Sequence, residues 1–247
     1  MDSQGQDRLL TDLYGRFVEA YNAIDRHMRQ ELGITNKGDS FSYVLKKYRD
    51  KHRFFTQLKQ LEVFAEVRNV TVHSISPSDP LFAPSVAAVE QIENLRQLIT
   101  MPPRVIPQFQ REVQCLSPNA SIHMVLELIR EKDFSQFPVY DGREFKGLLT
   151  ENGITRWLAQ HVSTVESIVE FRDEVVQTVL QKEERRDNWK FVDRRTPLDE
   201  IVRLFASKPE LEAVLVTDDG KSNQTPIGIV TAYDTARLPE AIRFMEG

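Results

Sequence analysis

The residues of this chain that could carry out a reaction lie at the end of an apolar helical pattern. Arg68-Asn69 is followed by three β-branched residues and then by His73. An imidazole can take a proton from a 2′-hydroxyl or return one to a leaving oxygen. A guanidinium can neutralise the negative charge that builds on a phosphate during its transfer. The residue types of Arg68 and His73 therefore suit metal-independent cleavage of RNA.

The spacing of this pair is equally compatible with a structural role. Residues five apart are offset by roughly 140° around an ideal helix, so they do not share a face unless the helix is ending. A second Arg-to-His pair at the same spacing, Arg156 and His161, lies in a region to which we assign no chemistry. In the structural alternative, Arg68 pairs with an acidic residue and His73 caps the helix end.

The elements that must position Arg68 and His73 are helices, because apolar residues recur at helical spacing through the N-terminal region. The predicted helices run from about Asp7 to Leu32, from near Ser40, from about Phe54 to His73, and over Ser85–Ile99. Pro102-Pro103 stops the last of them, since proline cannot continue a helix. A basic run between Lys46 and Lys59 is interpreted either as a solvated helix face or as a surface that attracts phosphates.

The stretch from about Leu10 to His73 resembles a HEPN domain, a small all-α bundle. Many members of that family carry an Arg, a polar residue, about three further residues and then a His, and Arg68, Asn69 and His73 match this pattern. The resemblance implies one of two functions. Catalytic members cleave RNA at a composite site made by two protomers, whereas non-catalytic members bind nucleotides or act as dimerising scaffolds.

Two stretches of the remaining chain repeat one design, 81 positions apart. Gly147–Thr150 and Gly228–Thr231 each read as a buried strand that ends in a hydroxyl. In the second copy Asp234 follows three residues later, in the first turn of the next helix, whereas Gly153 stands at the matching position of the first copy. The surrounding order of parts predicts β-α-β-β-α twice, and such internal repeats indicate the architecture.

The repeat pattern predicts particular strands and helices. The strands are Val105-Ile106, Phe137–Tyr140, Phe145–Thr150, Ala213–Thr217 and Ile227–Thr231, an intervening helical stretch spans Thr164–Gln181, and a closing helix runs through Ala236, Ile242 and Phe244.

Residues 103–247 are strongly similar to a tandem pair of CBS domains, a Bateman module. The most specific pieces are Ser135–Val139, Gly147–Thr150 and Gly228–Asp234. The resemblance implies two repeats that pack through their sheets around a pseudo-twofold axis and leave two clefts between them. In that family the clefts commonly hold adenine nucleotides: AMP, ADP, ATP or S-adenosylmethionine.

The resemblance assigns nucleotide-binding roles in the second repeat. Asp234 accepts hydrogen bonds from the two ribose hydroxyls, Thr231 offers a hydroxyl to the ribose or phosphate, and the main chain of Ala213-Val214 reads the adenine edge. Two alternatives stay open: Asp234 as an N-terminal helix cap, and Thr231 as a strand-end hydroxyl satisfied by the backbone.

The first repeat departs from the family pattern at one position. Thr150, with Ser135 and Gln136, matches the nucleotide-binding positions, but Gly153 replaces the carboxylate and cannot hold a ribose. We therefore expect one good nucleotide cleft and one that is weak, altered or empty.

The composition limits the classes of protein to consider. A net charge of −5 argues against a general nucleic-acid binder. No apolar run approaches the roughly 20 residues that span a bilayer, and the polar N-terminus does not read as a signal peptide. The single Cys115 is compatible with a reducing cytoplasm and, among apolar neighbours, reads as a small buried hydrophobe. The sequence has no histidine pair at helical spacing and no cluster of cysteines, so it does not predict a metal site.

Together these patterns predict an α+β protein of the cytoplasm, with no membrane partner. Its predicted domains are a HEPN-like bundle with a connecting helix at residues 1–101, a first CBS repeat at 102–163 and a second at 164–247. The expected function is a homodimeric regulator in which an adenine nucleotide controls the helical domain. That domain is either a ribonuclease acting on RNA or a non-enzymatic scaffold.

Overall fold

The computed structural model describes residues 3–36, 38–52, 58–73, 84–161, 174–183 and 187–235. These residues form two compact units that divide between Pro103 and Arg104. No helix among them is long and apolar enough to cross a membrane. The closing helix predicted through Ala236, Ile242 and Phe244, and the predicted start of the intervening stretch at Thr164, lie outside the described residues.

The N-terminal unit is helical, as the apolar spacing predicts. Its described residues form α1 (Ser3–Leu32), α2 (Phe41–Lys51), α3 (Leu58–His73) and α4 (Val86–Thr100). Ser40 and Ser85 begin α2 and α4, because each hydroxyl accepts a hydrogen bond from a backbone amide in the first helical turn.

Phe17 is fully buried in the N-terminal unit, where its ring meets Phe64 edge-on with 5.8 Å between centroids. Other fully buried side chains come from all four helices: Ile24, Met28, Leu45, Leu61 and Ile92. Exposed ion pairs join α1 to α4, with Arg16 2.7 Å from Glu93 and Arg96 3.1 Å from Glu19. The buried apolar faces rather than these exposed pairs supply most of the stability.

Acidic partners partly neutralise the basic run of α2. Arg49 pairs with Glu62 and Lys51 pairs with Glu31, both at 2.8 Å. Burial acts to raise the pKa of Glu31, but hydrogen bonds from Lys51 and His52 outweigh it and lower that pKa to about 2. Because these cations already have carboxylate partners, the geometry favours a solvated helix face over a phosphate-attracting surface.

The C-terminal unit mixes helices and strands. In chain order its described elements are α5 (Val105–Gln108), α6 (Ile122–Lys132), β1 (Gln136–Asp141), β2 (Glu144–Thr150), α7 (Glu151–His161), α8 (Val176–Glu183), β3 (Trp189–Asp193), α9 (Leu198–Ser207), β4 (Ala213–Thr217), β5 (Gly228–Thr231) and α10 (Ala232–Thr235). Strands β1 and β2 form an antiparallel hairpin. Strand β4 lies between a parallel neighbour, β3, and an antiparallel neighbour, β5.

The hairpin and the three-stranded sheet bury a shared apolar cluster. Leu148 of β2 packs with residues of β4 and β5, and all of these side chains are at most 9% exposed. The ring of Phe145 meets Trp189 at 4.7 Å and Phe191 at 5.0 Å between centroids. Edge-to-face contacts of this kind add to the stability gained from buried area.

The predicted opening strand at Val105-Ile106 is wrong. These residues lie in the short helix α5, and the amide of Val105 donates to the carbonyl of Thr196 at 2.8 Å. The residue that pairs with β1 in parallel is instead Leu116, which bridges to Val139. Ile106 keeps extended dihedral angles (φ −104°, ψ 132°), and the segment at 105–106 docks against the start of α9 rather than forming a strand.

The segment that precedes each repeat in the chain pairs with the other repeat, at the start of its first long helix. Arg104 bridges to Pro197 at the start of α9, and Val175 bridges to Ser121 at the start of α6. Gly147 and Gly228, which occupy matching positions in the two repeats, each lie close to another segment of the chain. A side chain at Gly147 would come within 3.0 Å of Leu180 on α8, and one at Gly228 would overlap the carbonyl oxygen of Phe109. Gly228 therefore allows a close approach of another backbone segment, whereas Gly147 leaves room for the side chain of Leu180.

Candidate functional site

The predicted residues of the second repeat are brought together by the register of β4 and β5. Ala213 lies directly opposite Thr231, and Val214 lies opposite Val230. Strand β4 is buried along its whole length. The amide of Ala213 already donates to the carbonyl of Asn188 at 3.2 Å, so it can read an adenine edge only if that hydrogen bond changes.

Thr231 and Asp234 cap each other at the start of α10. The carboxylate oxygen Oδ2 of Asp234 accepts from the amide of Thr231 at 2.8 Å and from its hydroxyl at 2.9 Å. The amide of Asp234 in turn contacts the Thr231 hydroxyl at 3.4 Å. This reciprocal arrangement is a capping box, and it holds the carboxylate in a defined orientation at the end of β5.

Arg111 is the residue at this site that sequence reasoning missed. Its Nη2 donates to Asp234 Oδ2 at 2.8 Å and also to the carbonyl of Ile229. Its Nη1 lies 3.5 Å from Asp234 Oδ1. No local pattern could have identified it, because Arg111 and Asp234 are 123 positions apart.

The two oxygens of the Asp234 carboxylate are unequally used. Oδ2 accepts from three donors, whereas the 3.5 Å contact to Arg111 is the only one that Oδ1 makes with the described residues. An ionised carboxylate has about four lone-pair positions. The capped carboxylate can therefore accept further hydroxyl groups without losing its cap.

The first repeat has the same framework with different chemistry. Gln136 lies opposite Thr150 at the end of β2, and the Ser135 carbonyl accepts from the amide of Glu151 at 3.0 Å. The Thr150 hydroxyl accepts from the amide of Gly153 at 3.1 Å. The structure thus brings Ser135, Gln136 and Thr150 together, but Gly153 is buried and supplies no carboxylate.

The predicted catalytic residues lie on the last turns of α3. The guanidinium of Arg68 lies 5.8 Å from the centroid of the Tyr21 ring, and its Nη1 lies 3.4 Å from the side-chain oxygen of Asn69. Burial raises the pKa of the Tyr21 hydroxyl, and the charge of Arg68 opposes that effect. The backbone of His73 is helical, but its side chain lies outside the described part of the structure.

A cleft of about 480 Å³ lies at the turn end of the two hairpins, away from Asp234. Cys115 and Tyr140 line one side, and residues 223–227 line the other. The Tyr140 hydroxyl donates to the carbonyl of Gln224 at 3.2 Å. Cys115 is half-buried rather than buried as predicted, and this partial burial raises the pKa of its thiol. Among the residues that the structure describes, no group of three potential metal ligands converges.

Comparison with known families identifies the C-terminal unit. The family model of the CBS domain matches residues 108–160 and 185–245, which supports a tandem pair of CBS domains in this part of the chain. Comparison with curated proteins gives no match.

The solved structures to which the chain is similar share little sequence with it. The CBS domain pair of protein MJ0100, in complex with 5′-methylthioadenosine and S-adenosyl-L-methionine, is 20% identical, with a TM-score of 0.42, and the match covers 56% of this chain and 95% of that one. An uncharacterized conserved protein from Pyrococcus horikoshii gives 20% identity and a TM-score of 0.42, covering 56% and 92%. The protein CBSX2 in complex with AMP gives 20% identity and a TM-score of 0.39, covering 53% and 90%.

Proposed function

We propose that the tandem CBS pair binds one adenine nucleotide at its second repeat and acts as a regulatory nucleotide sensor. The observation that supports this proposal best is the Asp234 carboxylate, which is oriented by its cap and has acceptor capacity left on Oδ1. A ribose presents two adjacent hydroxyls, and both can donate to one carboxylate. The ligands we propose are AMP, ADP, ATP or S-adenosylmethionine.

The first repeat is expected to contribute little affinity. Its Thr150 hydroxyl is buried and accepts from the amide of Gly153, where the second repeat has a carboxylate. A ribose there would lose its contacts with water and gain no acceptor, which is unfavourable for buried polar groups. The proposed stoichiometry is therefore one nucleotide per chain.

Replacing Asp234 by alanine is expected to weaken nucleotide binding by about 1–3 kcal/mol, because two ribose hydroxyls lose their acceptor. Calorimetric titration with AMP, ADP, ATP and S-adenosylmethionine measures this change. Asp199→Ala is the matched control. Asp199 also lies in the first turn of a helix of this unit, with a side chain 16% exposed, and pairs with Arg203 at 3.7 Å.

Equal affinity of the wild-type and Asp234→Ala proteins would contradict the ribose assignment. An equal loss of nucleotide affinity in Asp199→Ala would show instead that removing a carboxylate from the start of any helix in this unit weakens binding. Thermal unfolding of both variants separates lost contacts from lost folding, since each removes an interaction at a helix start.

For the helical unit, we infer the non-enzymatic alternative: a docking or dimerising scaffold that pairs two chains. The support is the position of Arg68, whose guanidinium faces the Tyr21 ring and the neighbouring Asn69. A guanidinium stacked on an aromatic ring is held by a favourable cation–π interaction. Leaving that ring to reach a phosphate would cost this interaction.

Incubation of the purified protein with single-stranded RNA is accordingly expected to give no turnover above buffer, with or without AMP. His73→Ala provides the reference, because it removes the only residue of the predicted trio that can transfer protons. Cleavage by the wild-type protein that His73→Ala abolishes would overturn the scaffold inference and establish the ribonuclease.

A further inference from the structure

The ion pair between Arg111 and Asp234 occupies the carboxylate on which the proposed function rests. Arg111 binds Asp234 with both terminal nitrogens, at 2.8 Å and 3.5 Å. The same guanidinium donates to the carbonyl of Ile229 on β5. A ligand that binds Asp234 must therefore share the carboxylate with Arg111 or displace it.

The backbone of Arg111 is anchored independently of its side chain. Gln110 bridges to Gly228, and the amide of Arg111 lies 3.3 Å from the carbonyl of Ile227. The side chain is 43% exposed, and that of Asp234 is 19% exposed. Exposed pairs of this kind are weak, so the guanidinium can exchange partners while the backbone stays in place.

A phosphate is the partner that makes such an exchange favourable. The planar guanidinium matches a phosphate in a two-point contact, as it matches a carboxylate. A neutral nucleoside that draws Asp234 away leaves Arg111 without an anion. A nucleoside with a 5′-phosphate supplies one in the same step.

We propose that Arg111 is a specificity-determining residue, which passes from Asp234 to the phosphate of a bound nucleotide. This inference rests on the proposed function and narrows its ligand to a phosphorylated nucleoside. It assigns Asp234 to the ribose and Arg111 to the phosphate. Adenosine, which carries no anionic group, is disfavoured because it disturbs the ion pair without replacing it.

The test is a set of calorimetric titrations of the full chain with AMP and with adenosine. The wild-type protein is expected to bind AMP at least about tenfold more tightly than adenosine, in line with a charge-assisted contact. In Arg111→Ala, AMP binding is expected to fall about tenfold. Adenosine binding is expected to rise about 2- to 5-fold, because no exposed ion pair has to be broken.

Two further variants separate charge from geometry. Arg111→Lys keeps the charge but not the planar two-point contact, so its preference for AMP is expected to be intermediate. Arg130→Ala removes an arginine that is 71% exposed and pairs with the adjacent Glu131, and both affinities are expected to stay unchanged.

Each outcome decides between the two proposals. An AMP-to-adenosine ratio that is the same in wild type and Arg111→Ala would overturn the exchange while leaving the nucleotide site in place. Tighter AMP binding by Arg111→Ala would also overturn it, because Arg111 would then only obstruct the site. If the wild-type protein bound none of AMP, ADP, ATP, S-adenosylmethionine and adenosine, the proposed function would be overturned, and the exchange with it.

Discussion

Gly228→Ala is expected to destabilise the C-terminal unit by about 1–3 kcal/mol, the usual cost of forcing an added methyl group into a packed interior. An added Cβ would overlap the carbonyl oxygen of Phe109 and lie 3.3 Å from Ile106. The neighbour that must move is backbone, which cannot rotate aside as a side chain can. Thermal unfolding followed by circular dichroism measures the effect.

Gly228→Ala is also expected to perturb the candidate nucleotide site. Phe109 precedes Arg111 by two residues, and Gln110 bridges to Gly228 itself. Moving this segment shifts the guanidinium that contacts Asp234, so AMP affinity should fall together with stability.

Gly15→Ala is the matched control for Gly228→Ala. Gly15 lies inside α1, and an added Cβ there would meet nothing within 4 Å. Alanine is favoured over glycine in a helix interior by about 1 kcal/mol, so Gly15→Ala should stabilise the chain. A Gly228→Ala protein as stable as wild type would show that the docked segment is not needed for the fold of this unit.

Phe17→Ala is expected to destabilise the N-terminal unit by about 3–5 kcal/mol, because it removes a buried ring and leaves a cavity. Phe17 is fully buried and loses its edge-on contact with Phe64. Urea unfolding of the full chain, followed by circular dichroism, measures the loss.

Leu9→Ala, on the same helix, is the control for Phe17→Ala. Its side chain is 46% exposed, and its change in stability should stay within about 0.5 kcal/mol. Since every residue of the proposed nucleotide site lies beyond Pro103, AMP affinity should survive Phe17→Ala wherever the C-terminal unit remains folded. Equal losses of stability in the two variants would show that Phe17 is not a core residue.

Local patterns were sufficient for the parts of the fold that depend on neighbours in the chain. The apolar spacing of α1 and α4 predicts helices that the structure confirms. The 81-residue repeat predicts the tandem CBS pair that the family comparison supports. The helix signals rest on apolar contacts within a few turns of chain, and the repeat signal rests on the recurrence of one local pattern.

The candidate site also has one part that local sequence determines and another that depends on tertiary contacts. The sequence by itself determined the Thr231–Asp234 pair, because a capping box closes over three residues and needs only those two side chains. It also determined the contrast between the two repeats, since Gly153 has no carboxylate in any fold.

Only the tertiary structure decided which residues surround that pair. Arg111 reaches Asp234 because the segment after α5 crosses Gly228. Val105-Ile106, a predicted strand, instead lies in α5 and docks against the start of α9. These contacts join residues about a hundred positions apart, and the register of a sheet edge, rather than local propensity, selects them. The chemistry of the carboxylate is thus local, whereas the arginine that controls access to it is placed by the packing of one repeat on the other.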